Sequence, residues 1–122
     1  MKPWFIALAV LPVLLADFAH AQLPVQAPHG IGVERGKALL AQYQCGSCHA
    51  IPGVQGARGE IAQTLRAWGR RSYIAGRLPN QPALLARWIT NPQALVPGTA
   101  MPNMGVSPDD AQAMAAYLFT LQ

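Results

Sequence analysis

Both cysteines of this 122-residue chain fall inside one pentapeptide, Cys45-Gly46-Ser47-Cys48-His49, with a histidine directly behind the second thiol. A disulfide between them would close a very small ring, which removes little entropy from the unfolded chain and makes a poor structural staple. A redox dithiol of this spacing belongs on a strand-to-helix turn in an alternating β/α chain, and the sequence has no credible strand series. Half of a structural zinc site needs two more ligands at metal spacing. There is no third cysteine, and His29, the other histidine beyond residue 21, stands in a Pro-His-Gly stretch. What remains is covalent haem attachment, the usual meaning of C-x-x-C-H. Each thiol adds to one vinyl group of the porphyrin, and His49 is delivered to the iron. A porphyrin fastened here is a large apolar body around which so short a chain must fold.

Such attachment fits an exported protein. The opening MKPWFIALAVLPVLLADFAHAQ reads as a secretory signal peptide over residues 1–21, with Lys2 as its charged end, an apolar run from Trp4 to Leu15, and Ala19-His20-Ala21 as the cleavage site. An uncleaved anchor is the competing reading. Against it, the run is shorter than the roughly 20 residues of a spanning helix, and Pro12 interrupts it. The expected mature chain begins near Gln22 in a periplasm, with a Pro- and Gly-rich flexible leader over 22–32 and one domain over 33–122. Loss of the signal removes Lys2 and Asp17, so the net charge stays at +4.

The domain reads as all-α. Gly36, Leu39, Leu40 and Tyr43 recur at i, i+3, i+4, i+7, which predicts a helix from Val33 to Gln44 that runs into the pentapeptide. Residues 50–63, with Pro52, Gly53, Gly56 and Gly59, read as loop. A short helix is predicted over Thr64 to Ala75. Another starts at Asn80-Gln81-Pro82, places Leu84, Leu85, Trp88 and Ile89 on one face, and stops at Asn91-Pro92. Ser107-Pro108-Asp109-Asp110 is a helix start with N-cap, Pro at N1 and acids in the first turn, and that helix runs to the end. A sixth iron ligand has three methionine candidates beyond the leader. Met114 shares a helical face with Ala111, Ala115 and Leu118 and reads as core. Met101 and Met104 lie in VPGTAMPNMGVSP, a Pro-bracketed loop suited to presenting a thioether to a metal, and Met101 is preferred.

With these residues in view, the sequence resembles the class I c-type cytochromes over nearly all of 33–122. Gly36 and Leu40 match the family's N-terminal helix, Tyr117-Leu118 the C-terminal helix that crosses it, and LLARWITNPQALVPGTAMP its stretch ending in Pro-Gly-Thr-x-Met. The resemblance implies a small cytochrome c fold whose loops wrap one haem c, held by Cys45 and Cys48. It implies His49 and Met101 as the metal ligands, Trp88 beside the ligand sulfur, and Thr99 and Tyr73 near the haem propionates. RRSYIAGRLPNQPALLARWI looks especially like bacterial monohaem modules, including those appended to terminal oxidases. One departure stands out. Where the family has Gly-Pro-x-Leu, with the proline carbonyl accepting the histidine N–H, this chain has Ala62-Gln63-Thr64-Leu65.

Iron ligated by histidine and methionine has both axial positions filled and a raised reduction potential. That points to an electron carrier, not a catalyst, passing single electrons between respiratory partners. The alternative is the haem subunit of a membrane or periplasmic oxidoreductase, such as an oxidase or dehydrogenase. An enzyme with a labile methionine, a peroxidase or gas sensor, is a more distant rival. Six arginines (58, 66, 70, 71, 77 and 87) stand against Glu60 alone between residues 58 and 87, which suits an acidic docking patch on a redox partner. Solvated surface and propionate pairing compete for the same arginines. Nucleic acid is not expected, because aromatic and basic residues are not interleaved. Trp68 either packs on the haem or core, or stands exposed as an anchor for a partner.

Overall fold

A computed structural model describes residues 29–122; the proposed signal peptide and most of the leader lie outside them. The first helix, α1, spans His29–Gln42 and so starts four residues ahead of the predicted Val33. Gly30 and Gly32, which read as leader, each cost a helix only about 1 kcal/mol, and packing of the rest outweighs that. Gly36, Leu39 and Leu40 are buried and Tyr43 half-buried, as the periodicity requires. The helix ends where Gln44 turns left-handed (φ 55°) and sends the chain into a 3₁₀ turn, Cys45–Ser47.

The last helix, α4, spans Pro108–Thr120 and starts as its sequence predicts: Ser107 Oγ accepts from the Asp110 amide. The Asp110 side chain does not fold back on the cap. It reaches α1, where Oδ2 accepts from Tyr43 Oη at 2.9 Å and Oδ1 pairs with Arg35. Hydrogen bonding to that carboxylate raises the Tyr43 pKa above its ordinary value. Met114 and Ala111 are fully buried on α4, so the core reading of Met114 holds. α1 and α4 touch backbone to backbone. A Cβ placed on Gly36 would lie 1.9 Å from the Ala113 carbonyl oxygen.

Between these helices the predicted α2 appears as Pro82–Thr90, with Leu85, Ala86, Trp88 and Ile89 buried. It stops at Asn91, whose Oδ1 caps the next short helix, α3, Pro92–Leu95.

The helix predicted over 64–75 does not form. Ala67 is left-handed (φ 52°), Trp68–Arg70 makes one 3₁₀ turn, and two short antiparallel strands follow, β1 (Tyr73–Ile74) and β2 (Leu78–Pro79). Ala75 and Gly76 both take positive φ (50° and 68°) and Arg77 N donates to the Ile74 carbonyl, the pattern of a type I′ hairpin turn. Tertiary contacts override the local helical preference here. Gly69 N donates to Leu121 O at 2.8 Å, and a Cβ on Gly69 would lie 2.6 Å from Phe119 O, so this turn is pressed onto the end of α4. Asn80 Nδ2 then ties the Trp68 and Arg71 carbonyls together.

The Gly36 contact carries a stability prediction. Gly36→Ala gains about 1 kcal/mol in helix propensity, yet must force two backbones apart, and overpacking costs about 1–3 kcal/mol or more. We expect the thermal midpoint of the intact protein to fall by about 5–15 °C, read by circular dichroism. A midpoint at or above the parent's would mean that α1 and α4 do not meet at this glycine.

Candidate functional site

The pentapeptide is held by a strap of chain. Residues 58–65 run beside 46–50: Gly59 N donates to Gly46 O at 3.0 Å, Ala62 N to Cys48 O at 2.9 Å and Leu65 N to Ala50 O at 2.8 Å. Two glycines allow this approach. A Cβ on Gly46 would sit 2.5 Å from Ala57 Cα, and one on Gly59 would sit 2.4 Å from the Cys48 carbonyl carbon. Within the pentapeptide, His49 N donates to Cys45 O at 3.0 Å. Cys45 and Cys48 are half-buried free thiols, and burial pushes the Cys45 thiol above its usual pKa.

His49 Nδ1 lies 2.6 Å from the Gln63 carbonyl oxygen. A carbonyl only accepts, so Nδ1 carries the proton. In the neutral ring the lone pair is then on Nε2, the nitrogen left free to bind a metal. Gln63 occupies the place of the proline in Gly-Pro-x-Leu. The departure changes a side chain and keeps the backbone acceptor.

The methionine loop is built by a turn. Val96 to Thr99 closes through Thr99 N donating to Val96 O at 3.1 Å, with Pro97 and left-handed Gly98 (φ 81°) at its centre, the pattern of a type II turn. Gln93 Nε2 donates to the carbonyls of Thr99 (3.2 Å) and Met101 (2.8 Å). Met101 is half-buried and packs on the core, whereas Met104 is 44% exposed.

The remaining residues named from sequence are dispersed. Trp88 is buried on α2, Thr99 is half-buried in the turn, and Tyr73 is 60% exposed on β1. Trp68 is 5% exposed, so it is not a surface anchor; Arg71 stacks over its ring at 5.1 Å. Gln63, Gln93 and Asn80 were not singled out by sequence reasoning. Two of them act through hydrogen bonds to carbonyls, and Gln63 acts only through its own carbonyl, for which no side-chain pattern codes. An open groove of about 720 Å³ lies elsewhere, lined by Ala83, Ala86, Thr90 and Ala115 among others, and it includes none of Cys45, Cys48, His49 and Met101.

The family model described as Cytochrome c matches residues 33–122. The chain belongs to the cytochrome c family. Membership implies covalently bound haem c and electron transfer as the activity. This cytochrome is also 33% identical over 99 residues to cytochrome c oxidase subunit 2 of Alkalihalophilus pseudofirmus. The match covers 80% of this chain but 28% of that protein, so this chain spans well under a third of its relative's length. No solved structure matches it.

The cytochrome's own residues fit such a cofactor. Among the described residues no group of three or more His, Cys, Asp or Glu could hold a metal ion. Trp68 Nε1 is a buried donor with no acceptor among the described residues. An unmet buried polar group costs about 1–3 kcal/mol, and a porphyrin carboxylate is an acceptor of the kind it lacks. Asn80 Oδ1 is orphaned too, but it is an acceptor and a carboxylate does not satisfy it.

Proposed function

We propose that this protein is an exported, periplasmic monohaem electron carrier of a respiratory chain. In this reading Cys45 and Cys48 would hold the porphyrin through thioethers, and His49 Nε2 and Met101 Sδ would ligate its iron. The observation that carries it is the His49 Nδ1–Gln63 carbonyl contact, which leaves Nε2 as the free lone pair one residue after the second thiol. A haem held there would supply one-electron exchange between ferric and ferrous iron. The protein's part is to keep that exchange simple. Gln63 holds the imidazole in one tautomer and the Val96–Thr99 turn sets out Met101; with both residues ligating, the iron would have no site for oxygen or peroxide. Trp88 then packs near the sulfur, and Thr99 and Tyr73 serve the propionates. The signal peptide over 1–21 directs export. Among the described residues no helix is long and apolar enough to cross a membrane.

Removing each methionine separates the ligand candidates. The oxidised parent should show a long-wavelength sulfur-to-iron band, and the reduced parent should not bind carbon monoxide. Met101→Ala should lose the band and bind carbon monoxide, whereas Met104→Ala should behave as the parent. Loss of the band in Met104→Ala alone would transfer the ligand role to Met104.

Charge supports an acidic redox partner. Arg58, Arg66, Arg70, Arg77 and Arg87 are exposed, and the one ion pair among the described residues joins Arg35 to Asp110. Steered encounter of exposed charges weakens as salt screens them. Stopped-flow reduction by an acidic redox protein should slow steadily as ionic strength rises. A flat profile would remove the docking role from these arginines.

A second reading, a haem subunit of a larger oxidoreductase, is favoured by the similarity to an oxidase subunit. Size exclusion of a native extract discriminates: a free carrier elutes at the size of one small domain, and a subunit co-elutes with a larger enzyme.

A further inference from the structure

We propose that Gln93 is a positioning residue, which holds the Met101 loop in ligating shape by donating both amide hydrogens to the loop's carbonyls; this rests on Met101 being the axial ligand. Gln93 sits in the second position of α3, and Nε2 reaches the carbonyls of Thr99 at 3.2 Å and Met101 at 2.8 Å. Those two carbonyls bracket Ala100, so one side chain spans the segment that delivers the sulfur.

The loop has little else to hold it. Among the described residues, the backbone–backbone hydrogen bond that follows Thr99 N to Val96 O is Ala111 N to Ser107 O, at the head of α4. Between them only Asn103 Oδ1, which accepts from Gly105 N at 2.9 Å, adds a local bond, and it lies beyond Met101. The base from which Gln93 reaches is firm. Asn91 Oδ1 caps α3 by accepting from Ala94 N, Pro92 is buried, and Leu95 and Val96 pack on the core. A glutamine suits the task because its planar NH₂ offers two donors. Met101 packs on the core from one side, and the Gln93 amide is the hydrogen-bonding hold on its backbone, so removing that side chain loosens the loop while the helices stay.

Imidazole competition on the intact ferric cytochrome tests this. Imidazole must displace the methionine to bind the iron, so its affinity reports how firmly the loop is held. Gln93→Leu keeps the bulk and removes both donors, and should bind imidazole about tenfold more tightly than the parent, the effect of one ordinary hydrogen bond. Its sulfur-to-iron band should also disappear on heating well before the far-UV circular dichroism signal. Gln93→Lys, which keeps a donor of similar reach, should return both readouts toward the parent. Parental imidazole affinity in Gln93→Leu overturns the proposal, as does a band that melts together with the helices. Met101→Ala serves as the reference. If the parent already binds imidazole as tightly as Met101→Ala, the ligand assignment itself fails and the Gln93 role falls with it. If those two differ while Gln93→Leu matches the parent, only the Gln93 role is lost.

Discussion

The hydrogen bond from His49 Nδ1 to the Gln63 carbonyl is the contact on which the site depends. It selects the imidazole tautomer and fixes the ring, and it exists only because residues 58–65 lie against the pentapeptide. That approach in turn requires Gly46 and Gly59, since a side chain at either would strike the opposing backbone. Three backbone hydrogen bonds and two missing side chains thus put a main-chain carbonyl within reach of the imidazole. The imidazole is oriented by a strip of main chain, and the side chain at position 63 is left exposed.

The helical frame sets where the pentapeptide emerges. α1 and α4 meet at Gly36 and Ala113, and Asp110 draws Arg35 and Tyr43 onto the head of α4. At the other end Tyr117 Oη donates to Pro52 O at 2.7 Å, which ties α4 to the loop that follows the haem motif. The same helix receives the Trp68–Arg70 turn on its C-terminal end through Gly69. α4 therefore contacts α1, α2 and the Trp68–Arg70 turn, whereas the methionine loop is tied to α3 through Gln93.

What was legible in the sequence was chemistry and local stops. The pentapeptide announces covalent attachment because the two thiols and the imidazole must be neighbours in the chain. Ser107-Pro108 and Asn91-Pro92 mark helix limits because capping and proline sterics act within a few residues. The helix expected over 64–75 failed for the opposite reason. Its glycine, Gly69, is needed for contact with α4, and Asn80 closes the region from nine and twelve residues away. Burial of Trp68 depends on the same contacts, so spacing alone left its exposure open. The acceptor for His49 escaped because a carbonyl belongs to every residue, and only the fold says which one is within reach.

The left-handed Gln44 makes α1 a ruler. Eight residues lie between Gly36 and Cys45, and the chain leaves helical geometry immediately before the first thiol. Each helical residue adds about 100° of rotation and 1.5 Å of rise. One residue inserted after Gly36 would swing both sulfurs a quarter-turn around the axis, off the strip of main chain that receives them. The helix length between its glycine and its end is therefore as strict a requirement as the motif it carries.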